Sequence, residues 1–157
     1  MEWIFQSTHT CVNFFDIAGY TSSVKFVGTE TDYRLDTITF YQYTYFQANE
    51  EYVEHDLPNL SLSGRIASLI ITGSSAWTIY DQPNYLGNAI CLQPQYSPYY
   101  EPAFVPDTIQ LDPTVPHGSI RSVRKGCWTT KIANVTTTKT AEVHGQSVFP
   151  SIEFVQH

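Results

Sequence analysis

The chain has 157 residues, three cysteines and a net charge of −7, from 8 Lys and Arg against 15 Asp and Glu. That length suits one domain or two small ones, and the acidity argues against gripping a nucleic-acid backbone, which needs a basic face. Three cysteines are too few to staple a disulfide mini-protein, no apolar run approaches the roughly 20 residues of a membrane-spanning helix, and aromatic and β-branched residues recur along the whole chain, against long disorder.

The first five residues are too short an apolar stretch for a signal peptide, and Glu2 stands where a positive start is expected. The sequence therefore reads as an intracellular chain or a mature secreted one, leaning toward the secreted form. After an alternating stretch at 24–27, residues 37–41 alternate with period two. Residues 68–72 form a short apolar strand, 73–75 a turn, and 76–80 the next strand; 88–92 and 119–123 read in the same way. Between 93 and 116 lie six prolines, so that stretch is expected to be loop with one edge strand. Its Tyr96, Tyr99 and Tyr100 either pin the loop to the body or face a protein or glycan partner. Further alternating stretches follow at 147–149 and 152–154. Many short strands separated by Gly, Pro, Asn and Ser predict an all-β sandwich of Greek keys.

Cys11, Cys91 and Cys127 lack metal-type spacing. Either one pair is bridged, leaving an odd thiol, or all three are inert. Two glycosylation sequons, at Asn59 and Asn134, are near chance expectation and decide nothing.

An internal repeat is more informative. Tyr41, Phe46 and Ala48 share the spacing of Tyr80, Tyr85 and Gly87: an aromatic, four residues, an aromatic, one residue, then a small residue, 39 positions on. A hairpin bent over its own sheet needs a small residue where the backbone turns sharply, and glycine suits a positive φ. The two aromatics then supply a large apolar area beneath it. Each segment is followed at a distance by an aliphatic, one residue, a serine and another aliphatic: Ile66 with Ser68 and Leu69, and Ile120 with Ser122 and Val123. A serine hydroxyl there is placed to bond the bent backbone.

In these residues the chain resembles the βγ-crystallins. Tyr80, Tyr85 and Gly87 match that superfamily's folded-hairpin pattern in full, with Trp77 ahead of them as in a second motif; residues 38–47 and on to 58–60 resemble a first motif. The departure is Ala48, where glycine is expected, so this hairpin is expected to open or adjust. The resemblance covers residues 36–125, one crystallin domain. It implies a two-sheet sandwich of two Greek-key motifs, with one hairpin strand exchanged between them. Residues 1–35 and 126–157 form N- and C-terminal extensions, expected to carry strands packed on the core or paired with each other.

Many members of the superfamily bind calcium through two Asn or Asp, two other residues, then Ser/Thr-Ser, a set of hard oxygen ligands. Here the matching stretches are 63–68 and 117–122. The Asn/Asp pair is missing from both, and the hydroxyl position holds Ala67 in one and Arg121 in the other. The resemblance thus implies degenerate sites, no cofactor and no metal ligands, with weak calcium binding left open through backbone carbonyls and Glu50, Glu51, Glu54 and Asp56. A solvated acidic face is the plainer reading of those four.

The histidines have no metal spacing, residues 54–56 read as exposed polar loop, and the sequence has no nucleophile elbow, phosphate loop or zinc-protease motif. Two functional readings follow. One is a non-enzymatic structural or stress-related protein of the crystallin type, with no catalytic residues. The other is a secreted binding module (inhibitor, toxin-like or lectin-like) using the Tyr/Pro-rich loop 94–106.

Overall fold

A computed structural model describes residues 27–29, 31–32, 34–62, 65–96, 102–111 and 119–135, with the backbone of 142–143 and 146–147. Strand patterning accounts for the layers. In β1 (Thr37–Tyr43), Ile38 and Phe40 point to one face and Thr37, Thr39 and Tyr41 to the other. A sharp turn at 44–46 leads to β2 (Gln47–Val53), and β3 (Ser68–Thr72) returns along the far side of β1. The second half repeats the plan with β4 (Trp77–Tyr80), a turn at 83–85, β5 (Ala89–Pro94), β6 (Ala103–Val105) and β7 (Ser122–Lys125). β8 (Ile132–Val135) lies beyond it, and the backbones of β9 (Glu142–Val143) and β10 (Gln146–Ser147) pair with each other.

Two four-stranded sheets result, in the orders β2-β1-β3-β6 and β7-β4-β5-β8. The edge strand expected in the Pro-rich stretch is β6. It runs antiparallel to β3 of the other half, pairing Val105 with Leu69. The reciprocal exchange is shorter: Leu57, between β2 and β3, bridges Val123 of β7, with N–H···O distances of 2.9 and 3.0 Å. The exchanged segments are therefore the third strands of each motif, not hairpin strands. The reason is steric: each hairpin folds back over its own sheet, which leaves only the following segment free to cross. β8, in the C-terminal extension, adds a parallel strand beside β5.

Between the sheets Ile38, Phe40, Leu69, Ile71, Trp77, Ile79, Ile90, Leu92 and Val123 form one core, closed at its ends by Leu60, Ile66 and Ile120 from the connections. Burying each such side chain contributes about 1.5–3 kcal/mol. The outer face of the first sheet carries a smaller cluster of Tyr41, Phe46 and Ile70, against which Val27 and Phe104 pack.

Asp36 ties the start of β1 to both halves. Its carboxylate accepts from the Ser74 and Ser75 amides at 2.8 and 3.0 Å and from the Ser75 hydroxyl at 2.7 Å. Lys125 Nζ of β7 stands 2.9 Å away. Burial raises the carboxyl's pKa, but Lys125, the hydroxyl and the two amides outweigh it and hold the group at about 2. A Cβ on Gly73 would fall 2.3 Å from Asp36 Oδ1, so glycine is required at that turn. The stretches 24–26 and 148–154 lie outside the described residues.

Candidate functional site: the paired folded hairpins

The two segments singled out by the 39-residue repeat adopt one backbone conformation twice. Tyr45 and its counterpart Asn84 both stand at φ 58°, Phe46 and Tyr85 both at φ 62°, and Ala48 and Gly87 at φ 69° and 80°. The first hairpin is not opened by Ala48. The registers agree as well, with Tyr41 opposite Glu50 and Tyr80 opposite Ala89. At Gly87 an added Cβ would lie 1.9 Å from Asp81 Oδ1. Asp81 braces that hairpin by accepting from the Asn88 amide and side chain, both at 2.8 Å. The first hairpin has Gln42 in place of Asp81, so its small residue faces no such carboxylate.

The serines close both units in the same way. Ser68 Oγ accepts from Phe46 N at 2.9 Å and donates to Tyr43 O at 2.6 Å. Ser122 Oγ accepts from Tyr85 N at 3.0 Å and donates to Gln82 O at 2.6 Å. Each hydroxyl thus satisfies one donor and one acceptor that the bend removes from the ladder. Below them the rings meet edge to face: Tyr41 and Phe46 at 5.7 Å between centroids, Tyr80 and Tyr85 at 5.8 Å. Burial raises the pKa of both Tyr80 and Tyr85, only partly offset by Arg124. Trp77 is fully buried in the core at the start of β4. The exchange contacts repeat too: Tyr45 N donates to Pro106 O at 2.8 Å, and Asn84 N to Pro58 O at 2.7 Å.

Two sheets, two bent hairpins of one conformation, and the following segments exchanged between the halves define the architecture. The chain has the βγ-crystallin fold. A βγ-crystallin from an archaeon is 22% identical, over 57% of this chain and 96% of that one, with a TM-score of 0.48. One from Ciona intestinalis is 16% identical over 57% and 98%, also at 0.48. Geodin, a βγ-crystallin from Geodia cydonium, is 18% identical over 61% of this chain and 52% of its own length, at 0.48. No protein-family model and no curated protein sequence matches the chain.

At the positions where the βγ-crystallin signature carries its ligands, the backbone is occupied within the protein. Ala67 N donates to Tyr41 O and Ala67 O accepts from Thr108 N; Arg121 N donates to Tyr80 O and Arg121 O accepts from Leu60 N, at 2.8–2.9 Å. Residues 63–64 and 117–118, which match the Asn/Asp pair, lie outside the described residues. Of the four acids, Glu51 accepts from the Ser61 and Leu62 amides, Glu54 from the Tyr52 hydroxyl, and Asp56 from Lys125 N and Arg124 Nε. Among the described residues, no group of three or more His, Cys, Asp or Glu gathers as a metal site.

Tyr96 is 83% exposed; Tyr99 and Tyr100 lie outside the described residues. The bridged cysteines are Cys91, buried on β5, and Cys127, exposed beyond β7, with Cα atoms 5.2 Å apart. Sequence spacing alone carried no sign of this pair, nor of the role of Asp36.

Proposed function

We propose that this protein is a non-enzymatic βγ-crystallin-type structural or stress-related protein with degenerate calcium sites. The observation that carries this is the pair Ala67 and Arg121 at the ligand hydroxyl positions: one offers no oxygen, the other brings a cation. Of the nearby acids, Glu51 is engaged in bracing the loop at Ser61 and Leu62. The polar and aromatic side chains of the hairpins serve internal closure, which suits a scaffold selected for persistence.

Calorimetric titration with calcium, paired with melting curves in millimolar calcium and in chelator, tests this. The expected result is no binding heat and an unchanged Tm. A site with calcium at 100 times its Kd would add about 2.7 kcal/mol, so a rise of several degrees would overturn the proposal.

A second reading, a secreted binding module, is favoured by the Cys91–Cys127 disulfide, since such bridges persist in oxidising compartments. The outward Tyr96 supports it as well.

A further inference from the structure

Spacing left the two glycosylation sequons undecided, but the fold gives one of them a definite setting. Asn59, Leu60 and Ser61 lie in the connection between β2 and β3. That connection is tied down on both sides of the asparagine. Leu57 N donates to Val123 O at 2.9 Å, Pro58 O accepts from Asn84 N at 2.7 Å, and Leu60 N donates to Arg121 O at 2.8 Å. Leu60 is buried and closes one end of the core. The amides of Ser61 and Leu62 both donate to the Glu51 carboxylate at 2.9 Å. With Leu57 and Leu60 anchored inward, residues 58 and 59 stand outward as a bend, exposed together with Ser61. An exposed loop is the setting that a sequon requires.

Other asparagines of the fold have internal duties. Asn84 holds a left-handed conformation at φ 58°, which its short polar side chain tolerates. Asn88 Nδ2 donates to Asp81 Oδ2 at 2.8 Å. Asn59 does neither: its φ is not positive, and among the described residues no hydrogen bond engages its carboxamide. Nδ2 is therefore open to reaction. The bond from Ser61 to Glu51 runs through the serine amide, which leaves its hydroxyl free for recognition as well. The Cys91–Cys127 bridge is an independent pointer to the compartment, because disulfides form and persist in the lumen through which secreted chains pass, where N-glycans are attached.

We propose that Asn59 is an N-glycan acceptor. The co-reactant is an oligosaccharide linked to a lipid diphosphate. Asn59 Nδ2 forms a bond to the anomeric carbon as the bond from that carbon to the diphosphate oxygen breaks. Nδ2 gives up one proton, the lipid diphosphate leaves with the bonding pair, and nothing is oxidised or reduced. The product is a bulky, solubilising group over the bend beside Leu60. This inference rests on the secreted reading and is independent of the calcium sites and of loop 94–106. The second sequon starts at Asn134 on β8 and ends outside the described residues, so it serves as the comparator.

The full chain, expressed behind a cleavable leader in cultured mammalian cells and recovered from cells and medium together, tests the proposal. Peptide-N-glycosidase in heavy-oxygen water should raise its gel mobility, and peptide mapping should find position 59 converted to labelled aspartate in most copies. Ser61→Ala should abolish that label, Ser61→Thr should keep it, and Asn134→Gln should leave it unchanged. Asn59→Gln should remove the part of the mobility shift that Asn134→Gln leaves. Transfer to the growing chain precedes folding and release, so a variant that folds poorly or is retained still reports. The mass gain of two hydrogens on reduction reads the secreted reading separately. A bridged chain with Asn59 unmodified would overturn the proposal and leave the secreted reading standing; a label at position 59 that survives Ser61→Ala would also overturn it.

Discussion

Exchanging the small residues of the two hairpins turns their near-identity into a measurement. An L-residue held in the left-handed region costs about 1–2 kcal/mol, and Ala48 stands there at φ 69°. Ala48→Gly removes that cost but adds about 0.5–1 kcal/mol of unfolded-chain freedom. The net expectation is a gain of about 0.5–1 kcal/mol by that subtraction. Gly87→Ala runs the other way with an extra penalty. Its Cβ would meet Asp81 Oδ1 at 1.9 Å, so the carboxylate must swing off and give up its two 2.8 Å bonds to Asn88. Those bonds contribute about 1 kcal/mol each, which brings the expected loss to about 2–4 kcal/mol. Equilibrium urea unfolding reads both: with m near 2 kcal/mol/M the midpoint should rise by about 0.4 M for Ala48→Gly and fall by about 1–2 M for Gly87→Ala. A midpoint for Ala48→Gly at or below that of the parent, or a parent-like midpoint for Gly87→Ala, would refute the reasoning.

Three further outcomes are expected. Ser68→Ala strips the partners from Phe46 N–H and Tyr43 C=O, and Ser122→Ala does the same to Tyr85 and Gln82; each should cost about 2–4 kcal/mol in urea unfolding, and the two costs should be alike. Removing the Cys91–Cys127 bridge, which spans 36 positions, should cost about 4 kcal/mol on the chain-entropy estimate; its presence is read by a mass gain of two hydrogens on reduction, and an unchanged mass would refute it. Asp36, held at about 2 against an ordinary 3.8, adds stability that is complete above pH 4 and lost as pH falls toward 2. Screening at the half-exposed Lys125 keeps that contribution to about 1–2 kcal/mol, and Asp36→Asn should flatten the stability–pH curve in that window. An unchanged slope in the variant would refute the assignment.

What was legible in the sequence was whatever depends on local spacing. The ring positions Tyr41, Phe46, Tyr80 and Tyr85 and the serines recur at fixed intervals because the same bend is built twice. Period-two alternation likewise exposed the core strands. The tertiary consequences were not legible. Nothing local says that the third strands, rather than hairpin strands, cross between halves, since that follows from each hairpin covering its own sheet. Ala48 looked like a break because strain is read from residue type, whereas the surrounding bonds from Ser68 and Pro106 over-determine the turn. Cys91 and Cys127 meet only because β5 and the segment after β7 flank β4, and Arg124 finds Asp56 only across the folded chain.

The reciprocal loan of β6 and of the segment at Leu57 means that neither half owns a complete layer. A fragment holding one Greek key would expose a raw edge where its neighbour's contribution belongs, and two identical fragments would satisfy one another by mutual donation. The halves should therefore melt as a single thermodynamic unit, and a cut in the 73–76 connection should yield pieces that reassociate rather than independent folders.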